Sequence, residues 1–400
     1  MVDKADFLRL MTPEALGLLD QTHFDDKADV VAVVSRMRAA GHDAELVATV
    51  LSQAKLRRRA RAKFGEFADR MLFTEDGLEQ ATRLRVAAIH AGRFRDAGLR
   101  HVADLGCGIG TESMALASLG ISVSAFEIDE VTAAIATFNL AGFDNVTVTN
   151  QDALGVNLGS FDGLMFDPAR RELGGPKRDR ATRKFDPADY SPRFDWVLEQ
   201  ARDKPTGIKL GPGHPHEGIP EDCEAQWVSV AGDLVECTLW FGVLAREGVS
   251  RSALMIDDSG AHEINSSSFE RLDAPIGELG AFVHEPDASV IRGHLVGELA
   301  EQLGARLFAP EIAYLTTDAA AASPWVRSYR VLDELAFDRK RLKAYLRERN
   351  IGVLEIKKRG ADVVPEQLRK DMQLKGENAA TLIVTRVGDA HRVLVVEPSR

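Results

Sequence analysis

The chain has few cysteines: three in 400 residues, at positions far apart in the sequence, Cys107, Cys223 and Cys237. Such spacing excludes a disulfide framework and offers no Cys-x-x-Cys pair for a zinc ion. Isolated cysteines of this kind are typical of reduced thiols. We therefore expect a cytoplasmic protein that binds no metal.

Long apolar runs are also absent. No stretch approaches the roughly 18 consecutive apolar residues of a membrane-spanning helix, so we expect no membrane association. Residues 1–6 include acidic side chains and no apolar run, unlike a secretory signal peptide. Hydrophobic residues make up 45% and charged residues 28% of the chain, as in ordinary globular proteins. This length predicts two or three domains.

Basic residues are the minority, with 50 Lys and Arg against 61 Asp and Glu and a net charge of -11. They are unevenly distributed. The last 62 residues, 339–400, hold 15 Lys and Arg against 8 Asp and Glu, a local +7, so the rest of the chain carries -18. A basic module on an acidic body can still bind nucleic acid.

The order of hydrophobic patterns divides the chain into four predicted parts. Residues 1–92 form a helical region, because apolar side chains recur three and four positions apart. Residues 93–260 alternate strands and helices, which predicts an α/β domain with a parallel sheet. Residues 261–330 form a mixed linker or ferredoxin-like segment, with one helix running to about Gly304, and residues 331–400 form a small α+β module.

In the α/β part we predict strands and helices at definite positions. The strands are 101–105, 122–127, 145–149, 161–166 and 206–210, with possible closing strands at 226–230, 234–242 and 252–256. The helices are 111–119, 130–141 and 191–203. Residues 258–275 are polar and are expected to form a boundary.

The first of these strands leads into three glycines at alternate positions, Gly106, Gly108 and Gly110. Glycines let the backbone turn sharply and approach a ligand, and the helix that follows points free N–H groups at the same space. A dinucleotide-binding loop would have a third glycine at position 111, which is Thr111. Asp104 before the glycines would repel a pyrophosphate and suits a ligand with an amino group. A tight turn without a ligand remains the alternative.

Acidic residues also end the next two strands. Glu127, with Ile128 beside it, is placed to accept the two hydroxyls of a ribose. Asp129 is the competing candidate, although it is better placed to cap the next helix. Asp152, with Ala153 beside it, is placed to accept an adenine amino group, or else serves as a simple turn residue.

A fourth strand ends in Asp167-Pro168-Ala169-Arg170. With the glycine loop and the two preceding acids, this order resembles the class I S-adenosylmethionine-dependent methyltransferases. More specifically, the chain from about residue 70 resembles bacterial methyltransferases with a C-terminal THUMP-like domain. The matching segments are residues 73–74, 77–82, 167–171, 285–287 and 354–360.

The resemblance implies a seven-stranded Rossmann-like sheet, S-adenosylmethionine as cofactor, and RNA, tRNA or rRNA, as substrate. It implies that Asp104, Gly106, Gly108, Gly110, Glu127, Ile128, Asp152 and Ala153 bind the cofactor. It places Asp167, Pro168 and Arg170 at the reaction centre. Enzymes that methylate exocyclic amines carry an aromatic residue in this motif, which Ala169 and Arg170 do not supply. A loop-capping role for Asp167 is the alternative.

Three basic segments are candidates for RNA contacts: 55–63, the loop 170–184 and the patch 357–370. For each, the alternative is a solvated surface. Two other classes of function stay open: a methyltransferase for a small molecule or a protein, and a non-catalytic RNA-binding protein that has kept the fold. The sequence makes no prediction of the oligomeric state.

Overall fold

The computed structural model describes residues 4–22, 30–170 and 189–399. The helices are α1 (Lys4–Leu10), α2 (Pro13–Asp20), α3 (Val30–Ala39), α4 (Ala44–Phe64), α5 (Glu75–Gln80), α6 (Leu84–Asp96), α7 (Thr111–Ser118), α8 (Glu130–Leu140), α9 (Phe194–Asp203), α10 (Ala288–Arg292), α11 (Val296–Leu303), α12 (Arg339–Glu348) and α13 (Pro365–Met372). None of the helices in the described ranges is long and apolar enough to span a bilayer.

The strands are β1 (His101–Leu105), β2 (Ser122–Glu127), β3 (Val146–Asn150), β4 (Gly163–Phe166), β5 (Ala169–Arg170), β6 (Tyr190–Ser191), β7 (Thr206–Leu210), β8 (Glu224–Val230), β9 (Asp233–Phe241), β10 (Arg251–Asp257), β11 (Gly260–Ser266), β12 (Phe282–Pro286), β13 (Arg306–Leu307), β14 (Leu315–Thr317), β15 (Val326–Ala336), β16 (Ile351–Lys358), β17 (Asn378–Val387) and β18 (Ala390–Pro398).

The chain forms two compact units. The first comprises Met1–Leu210, Pro215–Gly218 and Leu239–Ala245, and the second comprises Gly211–His214, Ile219–Thr238 and Arg246–Arg400. The four-part division with boundaries after residues 92, 260 and 330 remains a prediction.

The first unit contains a parallel sheet in the order β3-β2-β1-β4-β7. Strands β1 and β4 are almost entirely buried, which explains the apolar sequence of β4 and makes Asp104 of β1 a buried acid. Parallel strands separated by helices end at the same edge, so the residues after β1, β2, β3 and β4 come together there. The α/β prediction is confirmed.

The number of strands differs from the seven that the resemblance implied. Among the described residues, nine strands belong to this sheet, and β9, β8, β10 and β11 continue the order beyond β7. The unexpected member is β11, an antiparallel partner of β10 in the segment predicted as a boundary. Most of its side chains are partly or fully exposed, so its sequence is polar and reads as a loop.

Helices α4 and α8 hold an extended segment, 71–74, by side-chain hydrogen bonds to its backbone. Buried Gln53 of α4 donates to the Phe73 carbonyl (2.7 Å) and accepts from the Phe73 N–H (3.1 Å). On the other side, Asn139 of α8 accepts from Leu72 N–H (2.8 Å) and donates to the carbonyls of Leu72 and Ile109 (both 3.0 Å). These side chains satisfy a buried backbone segment that has no strand partner.

The basic run 55–63 lies on α4 and serves mainly internal contacts. Buried Arg57 donates to the Met71 carbonyl (2.9 Å) and pairs with Asp20. Lys63 donates to the carbonyls of residues 78, 79 and 81, at 2.7–2.8 Å, at the C-terminal end of α5. Both alternatives, a solvated surface and a phosphate-contacting surface, are therefore wrong for these two cations. Each of them binds backbone carbonyls of another segment of the first unit.

The second unit carries a further sheet of seven strands, in the order β13-β14-β12-β15-β18-β17-β16. Helices α12 and α13 pack on β16. Residues 282–317, expected to be a mixed segment, contribute three of these strands, since β12 pairs with β15. The single helix predicted to run to Gly304 is two helices, because His294 adopts a left-handed conformation (φ 56°) between them.

Candidate active site

A cavity of ≈ 420 Å³ lies in the first unit, at the edge where β1 to β4 end. We call it the strand-end cavity. The predicted residues that line it are Asp104, Gly106, Gly108, Glu127, Ile128, Asp152, Ala153 and Asp167. Gly110 and Pro168 are not among the lining residues. The Arg170 side chain and the basic loop 171–184 lie outside the residues that the structure describes.

All three glycines of the loop adopt positive φ, at 84° for Gly106, 55° for Gly108 and 92° for Gly110. A Cβ on Gly106 would come 2.8 Å from the Asp167 carbonyl oxygen, so a glycine is required for the loop to approach that backbone. A Cβ on Gly110 would meet the Leu140 side chain at 2.8 Å. Gly110 therefore allows α7 to start close to α8 and does not form the cavity wall.

Glu127 is hydrogen-bonded to the backbone of this glycine loop. One carboxylate oxygen accepts from Gly108 N–H (3.0 Å), and the other accepts from Asp129 N–H (2.9 Å). Burial raises the pKa of Glu127, although the backbone hydrogen bonds counteract it. Asp129 caps α8 by accepting from Thr132 N–H (2.8 Å), as expected of the competing candidate. Both acids line the cavity.

Asp152 accepts from Leu154 N–H (3.0 Å) and caps the 3-10 turn that begins at Ala153. The turn role weighed from the sequence is thus present. The same residue lines the cavity, so a turn role and a ligand role do not exclude each other.

Asp104 is the most buried acid of the cavity, 1% exposed. One oxygen, Oδ2, accepts from the Ser113 hydroxyl (2.6 Å), and Oδ1 has no hydrogen-bond partner among the described residues. Burial raises the pKa of Asp104 to about 7; Ser113 counteracts this, and the neighbouring Glu112 and Asp167 carboxylates add to it. A buried carboxylate oxygen without a donor is costly, and a cationic ligand would satisfy it.

A lysine that the sequence analysis did not select, Lys209 of β7, holds Asp167. Its ammonium nitrogen lies 2.5 Å from Asp167 Oδ2 and donates to the Gln80 carbonyl and the Thr82 hydroxyl, both at 3.2 Å. Lys209 is 8% exposed and lines the cavity. The sequence could have indicated it, since Lys209 is the one charged residue in the strand Thr206–Leu210. A lysine that is buried in a strand needs a partner for its charge.

A second buried pair, also missed, lies beside Asp104. Glu112 of α7 is 3.2 Å from His90 Nδ1, and both side chains are nearly inaccessible. Burial acts to raise the pKa of Glu112, but His90, Lys209 and Thr82 together hold it below its usual value. Glu112 is therefore a negative charge in the wall of the cavity.

The segment 74–82 forms the wall that faces the glycine loop, through Thr74, Asp76, Gly77, Gln80, Ala81 and Thr82. A Cβ on Gly77 would lie 2.6 Å from Ile109 Cγ2, so the two segments are in tight contact. All of these residues except Asp76 belong to the segments that carry the family resemblance, although none was predicted to line the site.

Comparison with known proteins identifies the chain. It is 33% identical over 350 residues to a Mycobacterium tuberculosis protein described as an uncharacterized S-adenosylmethionine-dependent methyltransferase, covering 83% of this chain and 91% of that one. The chain belongs to the S-adenosylmethionine-dependent methyltransferases. A family model described as THUMP domain-like matches residues 326–398, and a domain of unknown function (DUF8688) matches residues 3–60.

This methyltransferase has two further similarities, one in the sequence of a short segment and one in the fold. Over 68 residues it is 46% identical to a ribosomal RNA small subunit methyltransferase A of Streptococcus sanguinis, covering 17% of this chain and 23% of that one. A crystal structure from Porphyromonas gingivalis W83, provisionally described as a methyltransferase, superposes with a TM-score of 0.69 at 19% identity, over 95% of this chain and 100% of that one. The latter shows the same fold.

The protein is thus an enzyme, its cofactor is S-adenosylmethionine, and its fold is that of the class I methyltransferases. The strand-end cavity fits this cofactor chemically. Asp104 Oδ1 offers an unused buried acceptor for an amino group. No group of three or more His, Cys, Asp or Glu within the described ranges is arranged to hold a metal ion; that the enzyme needs none stays a prediction.

Proposed function

We propose that this methyltransferase methylates a base in RNA, tRNA or rRNA, in the cytoplasm. The observation that carries the proposal is the match of residues 326–398 to a THUMP domain-like family, because the resemblance associates such domains with RNA modification. The partial similarity to a ribosomal RNA methyltransferase supports it. The three cysteines are free and buried, which supports a reducing compartment.

Part of the exposed positive charge of the C-terminal part lies on α12. This helix carries Arg339, Lys340, Arg341, Lys343 and Arg347 against one acid, Glu348. Lys340 and Arg341 are exposed and form no ion pair with the described residues. Such a helix attracts the phosphates of RNA, whatever its sequence.

Three cations of the predicted patch 357–370 make contacts within the protein. Lys357 pairs with Glu285 (2.9 Å), Arg359 donates to the Ala313 carbonyl (3.3 Å), and Arg369 donates to the Leu354 carbonyl (2.9 Å). These three cations are engaged within the second unit, whereas Lys358 and Lys370 of the same patch are exposed. We therefore propose that α12 contributes to the RNA-contacting surface together with these two lysines.

In the strand-end cavity, S-adenosylmethionine supplies, when bound, a methyl group on a positively charged sulfur. We propose that Asp104 accepts hydrogen bonds from the amino group of the methionine part. Glu127 would accept hydrogen bonds from the ribose hydroxyls, and Asp152 would accept one from the adenine amino group. The glycine loop keeps its backbone clear of side chains at this point. Each role stays a proposal for its residue.

Asp167 is the proposed acceptor-orienting residue, with Pro168 and Arg170 beside it. Its carboxylate is 34% exposed and is held at Oδ2 by Lys209. We propose that the Asp167 carboxylate, which lines the cavity, accepts an N–H of the target base or takes its proton. Lys209 acts on Asp167 and is a positioning residue. Holding the methyl donor and the acceptor in the reactive orientation can be equivalent to an effective concentration of roughly 10⁵–10⁸ M.

The direct test is incubation of total RNA from a deletion strain with the enzyme and labelled donor, followed by nucleoside mass spectrometry. We expect one labelled nucleoside, absent from RNA of the parent strain. The Asp167→Asn variant should bind S-adenosylhomocysteine normally and transfer little label. Label that appears only in small molecules or proteins would favour the other methyltransferase class, and RNA binding without label would favour a non-catalytic protein.

The surface assignment has its own test. Lys340→Glu with Arg341→Glu should weaken RNA retention and flatten its salt dependence, while sparing cofactor binding. The matched control is Lys55→Glu with Arg58→Glu, two exposed cations of α4. Equal loss in both double variants would mean that overall charge, and not α12, governs RNA binding.

A further inference from the structure

A second cavity, also of ≈ 420 Å³, lies within the second unit and has no role in the function proposed above. We call it the EPD cavity. Its walls bring together two motifs far apart in the sequence, Glu285-Pro286-Asp287 and the end of β16 with Lys357 and Arg359. The Lys357–Glu285 ion pair (2.9 Å) joins them. A Cβ on Gly360 would overlap the Ile312 side chain, so this turn requires its glycine.

The acids of the EPD cavity are satisfied by the protein itself. Glu285 pairs with Lys357. Asp287 Oδ1 accepts from the Ser229 hydroxyl (2.6 Å) and Ser289 N–H (2.8 Å). Asp257 Oδ1 accepts from the backbone N–H groups of residues 259 and 260, at 2.7 and 3.1 Å. Each of these carboxylates therefore already has donors within the protein, through helix capping, a turn and an ion pair.

The arginines of the cavity have donors to spare. Arg327 lies directly opposite Glu285 in the β12–β15 pairing, but that carboxylate is taken by Lys357. Arg327 is exposed, and its guanidinium makes no hydrogen bond or ion pair with the described residues. Arg359 uses one nitrogen on the Ala313 carbonyl (3.3 Å) and lies 5.1 Å above the Tyr314 ring. A guanidinium has five donors, so several remain on each arginine.

Two arginines with free donors at one cavity suit a phosphate, whose oxygens match the planar fork of each guanidinium. The remaining wall includes the apolar side chains of Met255, Pro286 and Trp325. The volume is that of a small-ligand site. Charge at one part of the wall and apolar surface at another fit a nucleotide better than an inorganic ion.

We propose that the EPD cavity binds one nucleotide of the RNA substrate, with its phosphate on Arg327 and Arg359. The inference rests on the proposed RNA function. It adds a second point of attachment, which selects RNA by a single nucleotide held in a pocket, whereas α12 attracts RNA by charge alone.

The test uses the full chain saturated with S-adenosylhomocysteine, so that the strand-end cavity is filled. Cytidine monophosphate, cytidine and inorganic phosphate are titrated by calorimetry. We expect the monophosphate to bind, cytidine not to bind, and the double variant Arg327→Gln with Arg359→Gln to lose about tenfold or more in affinity for it. The matched control is Arg330→Gln, an exposed cation of the same strand that pairs with Glu397.

Retention of a short single-stranded RNA by the same proteins distinguishes the source of the phosphate. A parallel loss of RNA affinity in the double variant, with Arg330→Gln unchanged, is the expected result. Monophosphate binding with unchanged RNA affinity would overturn the RNA assignment, and absence of monophosphate binding to the unaltered protein would overturn the site. S-adenosylhomocysteine binding shows that each variant is folded. Because no readout here is methylation, failure of this site and failure of the proposed activity are separable.

Discussion

Replacement of Asp104 by Asn is the most informative perturbation, because it should stabilise the ligand-free protein and impair its function. Burial raises the pKa of Asp104 from 3.8 to about 7, and each pKa unit corresponds to about 1.4 kcal/mol. Ionised Asp104 therefore lowers the free energy of unfolding by at most about 4 kcal/mol. Asn has nearly the same shape, carries no charge and can still accept from the Ser113 hydroxyl.

The sign follows from proton binding. Between about pH 4 and pH 7 the folded state holds a proton on Asp104 that the unfolded state has lost. The stability of the unaltered protein therefore falls across this range and, as far as Asp104 is concerned, is constant above it. The Asn variant has no titratable group at position 104, so its stability lacks this pH dependence. Its advantage should be small near pH 4 and reach its full size by pH 8.

Thermal unfolding of the ligand-free proteins at pH 5 and pH 8 measures this difference. Asp129→Asn is the matched control, because Asp129 is exposed and Asn caps a helix as well as Asp does. Addition of S-adenosylhomocysteine should then reverse the order of stability. The ligand stabilises the unaltered protein by mass action, whereas the Asn variant lacks the carboxylate proposed for the amino group and should bind more than about tenfold more weakly.

Two results would refute this reasoning. One is an Asn variant that is no more stable than the unaltered protein at pH 8, because the burial of a charged Asp104 would then not be a cost. The other is unchanged ligand affinity, which would remove Asp104 from the cofactor site.

Three further predictions concern the same unit. Glu127→Ala should weaken S-adenosylmethionine binding by about 1.5–3 kcal/mol in calorimetry, the scale of hydrogen bonds to a charged group, and unchanged affinity would remove the ribose assignment. Gly106→Ala should lower the melting temperature more than Gly108→Ala, because both positions have positive φ but only the first places a Cβ near a carbonyl oxygen; equal effects would contradict this. Lys63→Met should cost about 1.5–3 kcal/mol of stability through its lost carbonyl contacts, and Lys55→Met almost nothing; equal costs would mean that those contacts contribute little.

The elements around the strand-end cavity were predictable because their signals are local. The observed strands β1, β2 and β7 have the bounds predicted for them, and the glycine loop and its flanking acids follow from short-range pattern. Strand β11 was missed for an equally local reason. Its partly and fully exposed side chains give it the composition of a loop, and only its pairing with β10 makes it a strand.

The roles of the basic segments were only partly predictable. A sequence shows the sign of a charge, but whether that charge faces water or a carbonyl depends on what packs against it. Arg57 and Lys63 of the run 55–63 hold the chain of the first unit, and Lys357 of the predicted patch pairs with Glu285, 72 residues away. Which cations stay exposed, such as Lys340 and Arg341 of α12, became known only with these partners.

Sequence alone was sufficient for the fold class, the family and a pocket at the strand ends, because strand periodicity, glycine spacing and the residue after each strand are properties of neighbouring positions. Packing decided what surrounds those residues. The partners Lys209 and Thr82, 127 residues apart, and the orphaned oxygen of Asp104 exist only where distant segments meet. Long-range contacts of this kind leave no periodic trace, since many different sequences satisfy the same buried geometry.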